Sequence, residues 1–192
     1  MTDGAASGGP DRRPGRAIDV VVLGVTVRRW LVFFGIAALV VIVDQVTKAY
    51  VVSNYPLGEP VEIIGDWLRI WYIHNTGALF GLFRGQAGLF ALVSVGVLVL
   101  IVWFHSRTAP TGGMLVTIAL GLLLGGALGN FIDRVRLDYV VDFVDMGIGS
   151  LRFYTYNVAD SAITISILLL LLSAFLPARG ARTADDGGPA AS

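Results

Sequence analysis

Four stretches of this sequence, residues 30–52, 87–104, 114–132 and 158–176, are apolar for long enough to cross a lipid bilayer. A crossing takes roughly 20 helical residues, with a range of about 17–25. In hydrocarbon the backbone must satisfy its own hydrogen bonds, so each run is constrained to be a helix. Composition agrees: 55% of the chain is hydrophobic and 15% charged, against about 25% charged in a soluble domain. The expectation is a mainly α membrane protein with four transmembrane helices.

The rest of the chain divides around those runs. Residues 1–17 are Gly, Pro, Asp and Arg with almost nothing to bury, so 1–29 is expected to be a largely disordered leader. The apolar run 18–27 has no assigned place beyond a lead-in to the first span. That span is too long for the apolar core of a removable signal peptide and starts too late. Residues 177–192 are a polar tail. Between the first two spans, 61–83 is rich in β-branched and aromatic residues and reads as strands packed at the membrane surface. Residues 151–156 are a second strand candidate, and 133–147 is expected to hold a short interfacial helix. A small extracytoplasmic β-sheet is the result.

Charge sets the orientation. Arg12, Arg13, Arg16, Arg28, Arg29, Arg107, Arg179 and Arg182 fall on one side, and Arg69, Arg84, Arg134, Arg136 and Arg152 on the other. The positive-inside rule then puts both termini in the cytoplasm. Nine acids, Asp44, Glu59, Glu62, Asp66, Asp133, Asp138, Asp142, Asp145 and Asp160, belong to the outer half. The formal net charge is zero, which argues against a nucleic-acid binder. There is no cysteine, which excludes disulfides, thiol nucleophiles and Cys-based metal sites. Two histidines 31 positions apart, His74 and His105, make a poor metal site, and no metal or cofactor is expected.

The polar residues embedded in the spans converge on the outer boundary. Lys48 lies at i+4 from Asp44 on one helical face. Asn130 and Asp133 close the third span, while Asn157 and Asp160 open the fourth. An intramembrane charge costs perhaps 2.5–3.5 kcal/mol and is a functional residue by default. Capping is the plain alternative, since Asp160 suits the positive end of a helix dipole.

In order along the chain stand DQVTK (44–48), NTGALFG (75–81), GGALGNFIDR (125–134), VVDF (140–143) and YNVADSAI (156–163). Across residues 30–176 this set closely resembles the bacterial lipoprotein signal peptidases, signal peptidase II. Tyr156 stands where that family more often has Phe. The resemblance implies a four-helix aspartic endopeptidase of the bacterial plasma membrane, active at the outer face. It implies a substrate too, a prolipoprotein signal peptide cut before a diacylglyceryl-modified cysteine, and a sheet that cradles it. It maps the family's catalytic carboxylates onto Asp142 and Asp160.

The residues themselves favour the same pair. Two carboxylates sharing one proton can serve as base and acid toward a water attacking an amide. Asp44, Asp133, Asp142, Asp145 and Asp160 lie in the right layer. Asp44 has Lys48 one turn away, and Asp133 is followed by Arg134 with Arg136 nearby, which suits ionised scaffolding. Asp142 and Asp160 have no adjacent cation. Asp133 is the reserve partner for Asp160. Asn157 is expected to orient a carboxylate or the scissile carbonyl, and Asn75 to bond the substrate backbone. Asn130 and Arg134 are expected to fasten the third helix to the loop carrying Asp142. Gly77 and Gly81 serve a turn.

Rival readings are distinguishable. A Ser–Lys hydrolase built on Lys48 with Ser53 or Ser161 needs a neutral lysine, which Asp44 opposes. A small proton-coupled transporter needs polar residues through to the inner face. A non-catalytic membrane assembly protein needs none of these carboxylates. Monomer is the default state, with membrane lipids as surroundings.

Overall fold

The computed structural model describes residues 14–76 and 87–175, with side chains from 23 and from 92 in the two segments. Residues 1–13 and 177–192, and the turn residues Gly77 and Gly81, lie outside the described residues. Helix α1 (Pro14–Asn54) leads into strands β1 (Pro60–Ile64) and β2 (Leu68–Asn75). Helices α2 (Ala87–Thr108) and α3 (Met114–Leu137) follow, then β3 (Val140–Ile148), β4 (Leu151–Arg152) and α4 (Val158–Phe175). Three helices are long and apolar enough to cross a membrane: α1 over Leu23–Asn54, all of α3, and α4. The described part of α2, Leu92–Thr108, is a shorter apolar helix.

Two expectations are corrected. The leader is not unstructured over 14–29, because α1 starts at Pro14, about four turns before the expected span. Proline suits a first helical position, and extending an existing helix is far cheaper than nucleating one, so the run 18–27 continues α1. No interfacial helix occupies 133–147. Helix α3 instead runs one turn past Ile132 and stops where Asp138 turns left-handed, at φ 63°, with its N–H donated to the Arg134 carbonyl at 3.2 Å. Aspartate tolerates that conformation better than most side chains. Strand β3 begins two residues later, so Asp142 and Asp145 stand on a strand and not in a loop.

Helix α3 is central. Half of its apolar window is buried, against 22% for α1 and 17% for α4, and it touches α1, α2 and α4. Its glycines permit this. A Cβ on Gly125 would lie 2.7 Å from Val40 Cβ, and one on Gly126 would lie 2.5 Å from the Ala159 carbonyl oxygen. Small residues let helices approach closely where no hydrophobic force separates lipid from protein. Phe33, Ala37, Ile101, Leu120 and Leu124 form the buried bundle core. The lipid-facing sides carry exposed Leu31, Leu39, Ile42, Val46, Leu168 and Leu172.

The four strands form one antiparallel sheet in the order β1-β2-β3-β4. A second cluster, Val51, Tyr72, Val141 and Phe143, fixes the sheet to the end of α1. The C-terminal ends of α1 and α3, the N-terminal end of α4 and one end of the sheet therefore meet in one place.

Candidate active site

The base of that meeting point is a buried charge cluster. Lys48 Nζ lies 2.8 Å from Asp44 Oδ2 and 2.9 Å from Asp133 Oδ2, and it donates to Asn130 Oδ1 at 3.1 Å. All three ammonium hydrogens are thus engaged in a residue only 3% exposed. The second oxygen of Asp44 accepts the Ala159 N–H at 2.9 Å, in the first turn of α4. Asp133 Oδ2 also accepts the Val141 N–H of β3 at 3.1 Å. Gln45 Nε2 closes the cluster, donating to Asp133 Oδ1 at 2.9 Å and to Asp44 Oδ2 at 3.2 Å. One lysine and two carboxylates so join α1, α3, α4 and β3.

Three expectations change here. The cation beside Asp133 is Lys48 from another helix, not the neighbouring Arg134 or Arg136. Asp133 is occupied by Lys48, Gln45 and the Val141 N–H, and does not serve as a partner for Asp160. It is also Asp133, not Asn130, that fastens α3 to the strand carrying Asp142.

Above this base lie Asp142 and Asp160. Asn157 caps α4: its Oδ1 accepts the Asp160 N–H at 2.9 Å, and Asp160 Oδ2 accepts the Asn157 N–H at 3.2 Å. This is a reciprocal capping box made with Asn and Asp. Asn130 Nδ2 donates to the other oxygen of Asp160 at 2.8 Å. The Asn157 amide donates to Asp142 Oδ1 at 2.7 Å, and Asn75 Nδ2 donates to Asp142 Oδ2 at 2.8 Å. Each carboxyl therefore receives a donor on both oxygens. Asn75, expected to face the substrate, faces Asp142. Arg134 donates to the Asn130 carbonyl at 3.3 Å and interacts electrostatically with Asp160, Asp142 and Asp133.

Burial and the repulsion of Asp160 push the Asp142 carboxyl up to about 7, against the pull of the Asn75 and Asn157 donors and of Lys48. Asp142 is 1% exposed. Such a group exchanges its proton near neutrality, which general acid–base work requires.

Backbone register makes the Asn75 contact. Strand β2 pairs β3 as Arg69↔Asp145 and Ile70↔Val144, then as Ile73↔Asp142, His74↔Val141 and Asn75↔Val140. One extra residue on β2 is accommodated between Ile70 and Ile73. Side chains alternate faces along a strand, so this bulge transfers the odd-numbered residues of β2 to the Asp142 face.

Asp145, a candidate by position, is committed elsewhere. Arg69 Nη2 lies 2.6 Å from its Oδ2, and Arg152 Nε lies 2.8 Å from its Oδ1. Burial raises this carboxyl, but the bonds from Arg152 and Arg69 outweigh it and hold the group below the usual range. Asp66 joins both arginines at 3.3 and 3.0 Å. Sequence reasoning gave Gln45, Arg69 and Arg152 no role. Gln45 was discoverable within DQVTK, but the arginines had no local signal. Nor did it foresee the buried polar groups in the bundle interior, His105, Thr117 and Ser166. His105 stacks on Phe33 at 4.0 Å.

The rival chemistry loses its parts. Ser161 Oγ donates to the Asn157 carbonyl and Ser53 Oγ to the Ala49 carbonyl, while Lys48 is held by two carboxylates.

Comparisons with known proteins agree with this arrangement. Residues 36–176 match the family described as signal peptidase (SPase) II. A lipoprotein signal peptidase of Geobacillus kaustophilus is 45% identical over 145 residues, covering 76% of this chain and 94% of that protein. The lipoprotein signal peptidase of Bacillus subtilis is 38% identical over 146 residues, 76% of this chain and 94% of that one. A bacterial membrane enzyme solved by the in meso method at 1.9 Å superposes with a TM-score of 0.68 at 36% identity, covering 76% of this chain and 93% of the other.

Proposed function

The chain belongs to the signal peptidase II family, and from that premise we propose that Asp142 and Asp160 share the proton that drives its peptide cleavage. The enzyme is a protease that removes signal peptides from prolipoproteins. The observation that carries the assignment is the pair itself: two carboxyls at the meeting point of helices and sheet, each with amide donors on both oxygens.

In this reading Asp160 accepts a proton from a water lying between the two groups. The water oxygen then attacks the scissile carbonyl carbon, and the carbonyl π electrons move onto its oxygen. Asp142, whose proton persists to about 7, donates that proton to the tetrahedral intermediate. Collapse breaks the C–N bond, and the departing amine takes the proton that Asp160 gained. Asn75, Asn130 and Asn157 hold the carboxyls so that little reorganisation is needed as charge moves. Lys48, Asp44, Asp133 and Arg134 hold the helices that carry them. Gly77 belongs to the turn after Asn75.

Four helices cross the bacterial plasma membrane, both termini lie in the cytoplasm, and the pair sits at the outer face. There it meets a lipid-held substrate with a diacylglyceryl cysteine and cuts before that residue. Both carboxyls and their donors come from one chain, so a monomer suffices and no metal is invoked.

The test uses purified protein in detergent and a diacylglyceryl-modified lipobox peptide. Asp142→Asn and Asp160→Asn are each expected to lower kcat by at least about 10²-fold, the contribution of a general acid or base. Undiminished cleavage by either variant removes that residue from the pair.

A further inference from the structure

We propose that Arg69 and Arg152, clamped on Asp145, are positioning residues: they lock the bulged register of β2 on β3 that presents Asn75 to Asp142. The inference rests on the assignment of Asp142 and Asp160 as the acting pair.

The register decides which side chains meet. Before the bulge, Leu68, Arg69 and Ile70 oppose Met146, Asp145 and Val144; after it, Ile73, His74 and Asn75 oppose Asp142, Val141 and Val140. Continuing the first register would set Tyr72 opposite Asp142 and His74 opposite Val140. Asn75 would then occupy the other face of the sheet, and its 2.8 Å bond to Asp142 would be lost. A slip of one residue flips every side chain beyond it.

Something must make that slip costly. On the far side of the bulge, Arg69 Nε donates to Asp145 Oδ2 at 2.7 Å. Arg152 Nε, from β4, donates to both Asp145 oxygens at 2.8 and 3.0 Å. Asp66, in the β1–β2 turn, accepts from the guanidinium of each arginine and from the Gly149 N–H. The lattice therefore spans the β1–β2 turn, β2, β3 and β4 around a carboxylate that is 1% exposed. Sliding β2 by one residue would remove Arg69 from the face of Asp145 and leave a buried charge half paired, which is strongly unfavourable. Asp145 and Asp142 are three residues apart on β3, so the lock acts one turn of the pleat from the reaction.

The absence of cysteine allows register to be read directly. The pair His74→Cys and Val141→Cys, directly opposed in the bulged register, is expected to cross-link on oxidation. Ile73→Cys with Val141→Cys is expected to cross-link only when the bulge is lost. Adding Arg69→Gln to the full-length protein should weaken the first cross-link and strengthen the second. With native cysteine-free background, Arg69→Gln and Asp145→Asn should each lower kcat roughly 10- to 100-fold, as small misplacements do, with little change in KM. The double variant should be no worse than either single one, because the residues act as one unit. Arg69→Lys should recover part of the loss.

The pH profile supplies a further readout. Asp142 is faced by Asn75 from β2, Lys48 from α1, Arg134 from α3, and Asp160 with Asn157 at the start of α4. Losing the Asn75 donor moves the Asp142 limb to higher pH in Arg69→Gln. An unchanged kcat and profile, or a reduced kcat with an unchanged cross-link pattern, overturns the proposal. If Arg69→Gln does not accumulate, Arg152→Gln is read by the same criteria. If Asp142→Asn stays active, the assignment of the pair falls, and the cross-link pattern alone decides the register lock.

Discussion

Asp142 receives an N–H on each oxygen, from Asn157 at 2.7 Å and Asn75 at 2.8 Å, yet keeps its proton up to about 7. Burial and Asp160 outweigh both donors. As the proposed acid, Asp142 must be protonated, so kcat/KM is expected to fall as pH rises through about 7 and to approach a tenfold loss per pH unit above it. A profile flat from pH 6 to 9 refutes this. The same rise is a statement about stability. A carboxyl raised in the folded state contributes stability that is full below its ordinary value of 3.8 and is lost as pH rises through about 7. Complete loss corresponds to on the order of 4 kcal/mol. Thermal unfolding in detergent should therefore show Asp142→Asn gaining on the wild type between pH 5 and 8, whatever fixed cost the amide brings by its clash with the Asn75 and Asn157 donors. A pH-independent difference between the two proteins excludes it. Local sequence favoured Asp142 over Asp44 because Lys48 stands one turn from the latter. The same logic failed for Asp145, which has Val144 and Met146 beside it but takes its cations from Arg69 and Arg152 through sheet pairing. Partners fixed by pairing at a separation of 76 residues leave no local trace.

Helix α3 shows what is legible at the level of the element. Its apolar length and repeated glycine read directly as a closely packed span, and that is how it sits between α1 and α4. Its end did not. Residues 133–147 mix charge with β-branched residues, and they form a strand only because β2 supplies a partner, a context that propensity does not contain. The start of α1 was missed for the opposite reason, since a weak helical segment was extended by a strong neighbour. Packing around α3 gives a paired prediction. A Cβ on Gly129 would lie 2.6 Å from Asp44 Oδ2 and 3.3 Å from Ala159 Cβ, whereas one on Gly35 meets nothing within 4 Å. Gly129→Ala should displace Asp44 from Lys48 and the Ala159 N–H, lowering stability by about 1–3 kcal/mol. Gly35→Ala, on an exposed helical position, should be neutral or stabilising by up to about 1 kcal/mol. Comparing the two melting temperatures with the wild type checks both, and equal shifts would contradict the packing account.

Across the whole molecule, a net charge of zero conceals a polar axis. Arg28, Arg29 and Arg107 lie toward one end, where Arg29 donates to the Ala109 carbonyl at 2.7 Å beyond α2. The carboxyl pair, Lys48 and the sheet lie toward the other. The positive-inside rule assigns the arginine end to the cytoplasm, and the proposed reaction requires the sheet end to face outward, where a translocated lipoprotein precursor emerges. These two arguments are independent and give the same orientation. Because the chain lacks cysteine, single cysteines can test it without background. Glu62→Cys lies on exposed β1, and Thr111→Cys lies in the turn between α2 and α3. In intact cells stripped of outer barriers, a membrane-impermeant maleimide should label Glu62→Cys at once. It should label Thr111→Cys only after the membrane is permeabilised. The reverse pattern would place the sheet in the cytoplasm and, with it, the carboxyl pair on the wrong side for its substrate. Labelling of both positions in intact cells would mean that the two ends are not separated by a bilayer, against the span lengths themselves.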